Sequence, residues 1–284
     1  MINLKCIGNF EIGTMGQLMS IFRNIESKIF SLEEIENIVI YNTREIIDAN
    51  PFEYIFKQNY LINNYTTINL IPVGAYTEDI PSDKLMRYKE IKSKFVLCDE
   101  IVNRFNNIKK DLSINDAFLG AHVRLTDMNA WHGNVYGYTY LEDFIETIDM
   151  AMKTNEYTKV FVASDSQESI LKLKKIYGET MVCYNDFIRL ESEVGDLVGF
   201  IKKNLPTNKK WIQDSFIEML LLSECGGLIH RVTNFANVTK IYSNTIKKTF
   251  FISGKHKTHG RVSGDWIISV ENGEVKARKR YRNE

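Results

Sequence analysis

The chain reads as an α/β protein built from two Rossmann-like units, each a parallel sheet flanked by helices. Three observations carry this expectation. Strand-like and helix-like runs alternate regularly after Asn115, and strands separated by helices of about 10–15 residues specify βαβ units. The residues before that point form a less regular α/β pattern of their own. At 284 residues the chain is also long enough for two ordinary domains. The expected boundary lies near residues 112–116, giving an amino-terminal unit over 1–114 and a carboxy-terminal one over 115–284.

Taken in order, INLKCIGN is a first strand, followed by a glycine-punctuated turn, GNFEIGTMGQ, and an apolar-periodic helix, LMSIFRNIESKIF. SLEEIENIVIYN and TINLIPVGAY each contain a short strand, and residues 82–112 have the apolar spacing of one or two helices. In the second unit AFLGAHVRL, KVFVAS, TMVCYN, GGLIHRV and TFFIS are strands. The helices between them are TYLEDFIETIDMAMKT, SQESILKLKKIYG, WIQDSFIEMLLLSEC and FANVTKIYSNTIKK. The tail is expected to form a hairpin turning at Asn272 and Gly273, poised to pack back on the first unit. Its basic end, Lys276 to Arg282, reads as a charged edge strand in preference to a contact for an anionic acceptor or lipid.

Composition narrows the function classes. Lys plus Arg and Asp plus Glu are 36 each, so no global field favours nucleic acid or an anionic membrane. The four cysteines lack CxxC spacing and read as reduced core thiols, not as a zinc site or disulfide framework. Neither a signal peptide nor a stretch approaching the roughly 20 apolar residues of a membrane span is visible, so a soluble, cytoplasmic protein is expected. G-x-G-x-x-G, P-loop, H-E-x-x-H and nucleophile-elbow patterns are all missing.

Four places can carry chemistry, because open parallel sheets bind ligands at the carboxyl ends of their strands. His122 and Arg124 end the AFLGAHVRL strand on one face, where they either hold an anion or form a structural pair, with Arg124 bound to Asp127. Asp165 follows KVFVAS and has capping-box spacing to Glu168, so it is either a helix cap or a contact for a ribose or for Arg124. Asp214 and Glu218 stand one turn apart on a helix, and Thr233 or Asn234 caps the next one, whose amides suit a phosphate. The plain alternative there is a solvated acidic face and an ordinary cap. Gly13 and Gly16 lie in the first turn, where glycine permits close backbone approach but a turn requires it anyway.

Taken together, GAHVRLTD, VFVASDSQESILKLKKIYG and EMLLLSECGGLIHRVTNFA resemble the three motifs of GDP-fucose-dependent fucosyltransferases, nearest the α1,6-fucosyltransferase and nodulation (NodZ-like) group. GNFEIGTMGQL is similar to that family's glycine-rich loop, so the resemblance brings Gly13 and Gly16 to the donor. It implies a GT-B fold, two Rossmann-like domains with a cleft between them, the donor in the carboxy-terminal domain and the acceptor glycan on the amino-terminal side. It also implies inverting transfer without a metal or other cofactor. By the same resemblance Arg124 contacts the donor diphosphate and His122 lies beside the nucleotide. Glu218 stands where an acid recognises guanine, Thr233 and Asn234 hold phosphate oxygens, and Asp165 matches the first acid of the second motif. The family's second arginine and lysine are here Leu125 and Met128, and its catalytic carboxylate falls near Trp131 or His132. His132 and Asp127 are then the candidate bases. The alternatives are a transferase of this architecture using another nucleotide sugar, or a non-catalytic nucleotide-sugar or glycan-binding protein.

Overall fold

The computed structural model describes residues 2–8, 14–27, 32–42, 51–58, 64–69, 80–125, 139–190, 208–231, 233–252, 266–271 and 274–279. In the first half, β1 (Ile2–Gly8) lies between β2 (Ile35–Asn42) and β3 (Thr66–Asn69), all parallel. Helices α1 (Thr14–Glu26), α2 (Ser82–Lys92) and α3 (Asp99–Leu112) complete it. The expected turn around Gly16 is instead the first turn of α1. Met15, Leu18, Met19 and Phe22 are all buried, and that helical periodicity outweighs the roughly 1 kcal/mol cost of glycine in a helix.

The second half has the order β10-β9-β8-β7-β4-β5-β6. Strands β4 (Phe118–Val123), β5 (Lys159–Ser164), β6 (Met181–Val182), β7 (Gly227–His230) and β8 (Lys248–Ile252) are parallel. Antiparallel β9 (Trp266–Glu271) and β10 (Glu274–Lys279) extend that sheet, with Glu271 opposite Glu274 and β10 at the edge. Every residue of β4 is buried, as a strand covered on both faces requires. Leu119, Ala121 and Val123 face α4 (Leu141–Met152) and α5 (Gln167–Tyr177) in an outer core. Phe118, Phe161 and Leu228 face an inner core with α6 (Asn208–Ser223) and α7 (Asn234–Tyr242).

The inner core is continuous with that of the first half. α6 and α7 pack against α1, α2 and α3, and the Gln213 amide donates to the Tyr54 carbonyl at 3.1 Å. The turn into β7 needs glycine, because a Cβ on Gly226 would lie 2.0 Å from the Asp116 carbonyl oxygen. α7 ends at Tyr242, six residues earlier than its apolar pattern implies. Ser243 Oγ accepts from the N–H groups of Thr245 (3.1 Å) and Ile246 (2.9 Å), a side-chain turn that competes with further helix.

Candidate functional site at the ends of β4, β5 and β7

From β4 the chain proceeds outward through β5 and β6, then returns to build β7 on the other side of β4. In open parallel sheets such a reversal marks the crevice where ligands bind, beyond the carboxyl ends of the flanking strands, here β4 and β7. His122 and His230 are register partners across it. His122 is buried, its ring stacked on Phe235 (centroids 4.3 Å apart, 11° between planes), and its Nδ1 lies 3.4 Å from Thr233 Oγ1. Burial, helped by the charge of Arg124 and by His230, holds its pKa well below the ordinary histidine value. His122 is therefore neutral at neutral pH, and the positive charge of the pair belongs to Arg124.

The Arg124 side chain is 28% exposed, with Nε 3.8 Å from Asp165 Oδ2. Asp165 does not cap α5. Ser166 does, accepting from the Ser169 N–H at 3.1 Å, because it sits one residue closer to the helix. Asp165 is left to face Arg124. Leu125, where the resembled family carries its second arginine, is buried in the outer core, so its apolar character suits its surroundings.

Beside His122, Thr233 caps α7, its Oγ1 accepting from the Ala236 N–H at 3.1 Å, and Asn234 is the first helical residue. The positive end of α7 therefore lies beside His122. Arg231 adds a buried guanidinium whose pKa burial lowers to about 10. It directly follows His230, so unlike Arg124 and His122 the two do not share a strand face.

The other side of the crevice is acidic. Glu218 and Asp214 are both buried in α6, so the solvated acidic face expected as the plain alternative is not what forms. From Ile212 to Ser223 every residue of α6 but Ser215 is buried, so its carboxylates are carried inside with it. Glu218 accepts from Arg189 Nη2 at 2.7 Å, with the two side chains 4% and 2% exposed. Burial pushes its pKa up to about 8 despite Arg189, and Asp165 and Asp214 add to the rise. Asp214 is bound by Arg104 and Lys210, and accepts from the Tyr184 hydroxyl at 3.1 Å. A shallow depression of about 430 Å³ beside Asp214, lined by Arg104, Tyr184 and Lys210 among others, includes none of the crevice residues.

Of the predicted site residues, His122, Arg124, Asp165 and Thr233 meet at the crevice. Glu218 is electrostatically coupled to Asp165. Gly16 lies in α1, its carbonyl accepting from Ser20 Oγ at 3.1 Å. Asp127, His132 and Gly13 lie outside the described residues. Among the described residues no group of three or more His, Cys, Asp or Glu could hold a metal ion.

No protein-family model matches the chain, and no curated protein matches it by sequence. Solved structures do match. The fucosyltransferase NodZ from Bradyrhizobium superposes with a TM-score of 0.57 at 12% identity, over 96% of this chain and 100% of that one. The chain shares its fold with fucosyltransferases. NodZ α-1,6-fucosyltransferase soaked with GDP-fucose matches at a TM-score of 0.52 and 11% identity, over 98% of this chain and 99% of that one. Arabidopsis thaliana FUT1 in complex with GDP matches at 0.53 and 11%, over 89% and 71% of the two chains. The parallel three-stranded sheet and the mostly parallel seven-stranded sheet are thus the GT-B arrangement of this fold. Among the described residues no helix is long and apolar enough to cross a membrane.

Proposed function

We propose that the protein is an inverting, metal-independent glycosyltransferase that moves fucose from GDP-fucose to a glycan hydroxyl. The observation that carries this reading is the bipolar crevice of a fucosyltransferase fold. Arg124, paired with Asp165, and the start of α7 beside His122 supply the basic end, and Glu218, held by Arg189, supplies the acidic end. A nucleoside diphosphate has the complementary layout, anionic oxygens at one end and N–H and O–H donors at the other. GDP or GDP-fucose accompanies several of the similar structures, which supports the choice of donor.

In this reading the acceptor oxygen bonds to the anomeric carbon as the bond from that carbon to the diphosphate oxygen breaks. Charge then grows on the leaving diphosphate. Arg124 and the amides near Thr233 and Asn234 stabilise it, the electrostatic contribution that such transfer chiefly needs. Neutral His122 offers a hydrogen bond beside the nucleotide, and Glu218 accepts from the guanine edge. Asp127 or His132 takes the acceptor proton. Gly13 and Gly16 line the donor from the first half, residues 1–114, which forms the acceptor side of the cleft with residues 115–284 opposite.

A second reading, a nucleotide-sugar or glycan-binding protein without transfer activity, is favoured by Leu125, Met128 and the lack of an acid at Trp131 or His132. Thermal shift with GDP, UDP and ADP, followed by transfer and donor-hydrolysis assays, tests both, since a ligand specific for the native state raises its melting temperature. Protection by GDP above the others, with transfer, is the expected result. GDP protection without turnover across a broad acceptor panel favours the second reading, and preferential protection by UDP or ADP points to another nucleotide sugar.

A further inference from the structure

Arg189 lies in the irregular stretch after β6, and its guanidinium gathers three separate pieces of the acidic wall. Nε donates to the carbonyl of Ser164, the last residue of β5, at 3.0 Å. Nη1 donates to the Phe187 carbonyl at 3.2 Å, and Nη2 to the Tyr184 carbonyl at 2.8 Å and Glu218 Oε1 at 2.7 Å. The adjacent backbone is laced to the same strand end. The Leu190 N–H donates to the Asp165 carbonyl at 2.8 Å, and the Gln167 N–H to the Leu190 carbonyl at 2.7 Å.

A buried ion pair by itself stabilises a fold little more than apolar packing does. What this one does impose is geometry. The planar fork ties the carboxylate of α6 to the end of β5, one residue before Asp165. Arg189 engages Oε1 of Glu218, so the carboxylate is held in one orientation, with Oε2 the oxygen left for a ligand donor.

We propose that Arg189 is a positioning residue for nucleobase recognition, holding Glu218 so that its carboxylate accepts from a purine with two adjacent N–H donors. The proposal rests on the donor reading given above. Guanine has that pair of donors on one edge. Hypoxanthine retains the ring N–H but lacks the exocyclic amino group, so inosine diphosphate isolates the second hydrogen bond without altering the phosphates.

The test is calorimetric titration of GDP and inosine diphosphate into the wild-type chain, Arg189→Met, Arg189→Lys, Glu218→Gln and the Met/Gln double variant. Above about pH 8, where Glu218 is ionised, the wild type is expected to prefer GDP by roughly 10- to 100-fold, the range for a hydrogen bond to a charged group. Arg189→Met and Glu218→Gln should each lose most of that preference, and the double variant should be no worse than either. Arg189→Lys keeps the charge without the fork and should fall between.

A purely structural Arg189 lowers the melting temperature but leaves the GDP-to-inosine ratio intact, which overturns the proposal while sparing the donor reading. A wild type that binds both nucleotides equally does the same. A wild type that binds neither overturns both. Should Arg189→Met fail to fold, an undiminished preference in Arg189→Lys overturns the proposal alone.

Discussion

Two carboxylates one turn apart on α6 meet opposite circumstances. Asp214 is wholly buried but receives two cations, Arg104 and Lys210, with a tyrosine hydroxyl besides. Those cations are 28% and 47% exposed, so water shares the cost of their charge. Glu218 has one cation, itself buried, and Arg189 divides its donors between that carboxylate and three backbone carbonyls. Burial alone therefore does not decide what a carboxylate is for. The saturated one fixes α6 to α3 and to the turn after β6, whereas the under-compensated one keeps acceptor capacity beside the crevice.

Removing Glu218 should break this contrast most severely. Glu218→Ala leaves the buried Arg189 without its carboxylate, and breaking a buried pair from one side costs about 3–5 kcal/mol. Chemical denaturation should show that loss, and a cost near zero would mean Arg189 rehydrates freely. Asp214→Ala should cost less, about 1–3 kcal/mol, because Arg104 and Lys210 can turn to solvent.

The pH dependence sharpens the comparison. Because the folded pKa of Glu218 is raised to about 8, the folded state holds a proton that the unfolded state releases above the ordinary glutamate value. Its contribution is thus fully present below that ordinary value and is lost as pH rises through about 8. The slope has a ceiling of about 1.4 kcal/mol per pH unit for one proton. Stability measured across this range should fall with pH in the wild type and lose that slope in Glu218→Gln. Lys210→Ala should change stability least, within about 0.5 kcal/mol, as expected of a half-exposed i,i+4 pair whose carboxylate keeps a second cation.

The parallel sheet and the basic side of the crevice were legible in the sequence, the acidic side much less so. β4 announces itself as an unbroken apolar run ending in His122 and Arg124, and strand ends are where ligands bind. Asp165 was ambiguous because a cap and a site residue both demand a short acid there, and the neighbouring Ser166 took the cap. The apolar run Met219 to Leu222 directly after Glu218 was the one sequence signal for the burial of this part of α6, and it did not extend to Asp214. Arg189 left no trace, since three of its four acceptors are backbone carbonyls that any sequence supplies. The end of α7 was missed for a similar reason, being set by Ser243 rather than by glycine or proline.

The donor reading rests most heavily on Arg124, the partly buried cation at the reversal of strand order. Calorimetric GDP-fucose binding and transfer by wild type and Arg124→Ala, with equal folding verified by circular dichroism, tests it most directly. Affinity should fall roughly 10- to 100-fold, as for a lost charge-assisted hydrogen bond, with transfer falling at least as far. Unchanged binding and transfer in Arg124→Ala would contradict the assignment of the diphosphate to this crevice.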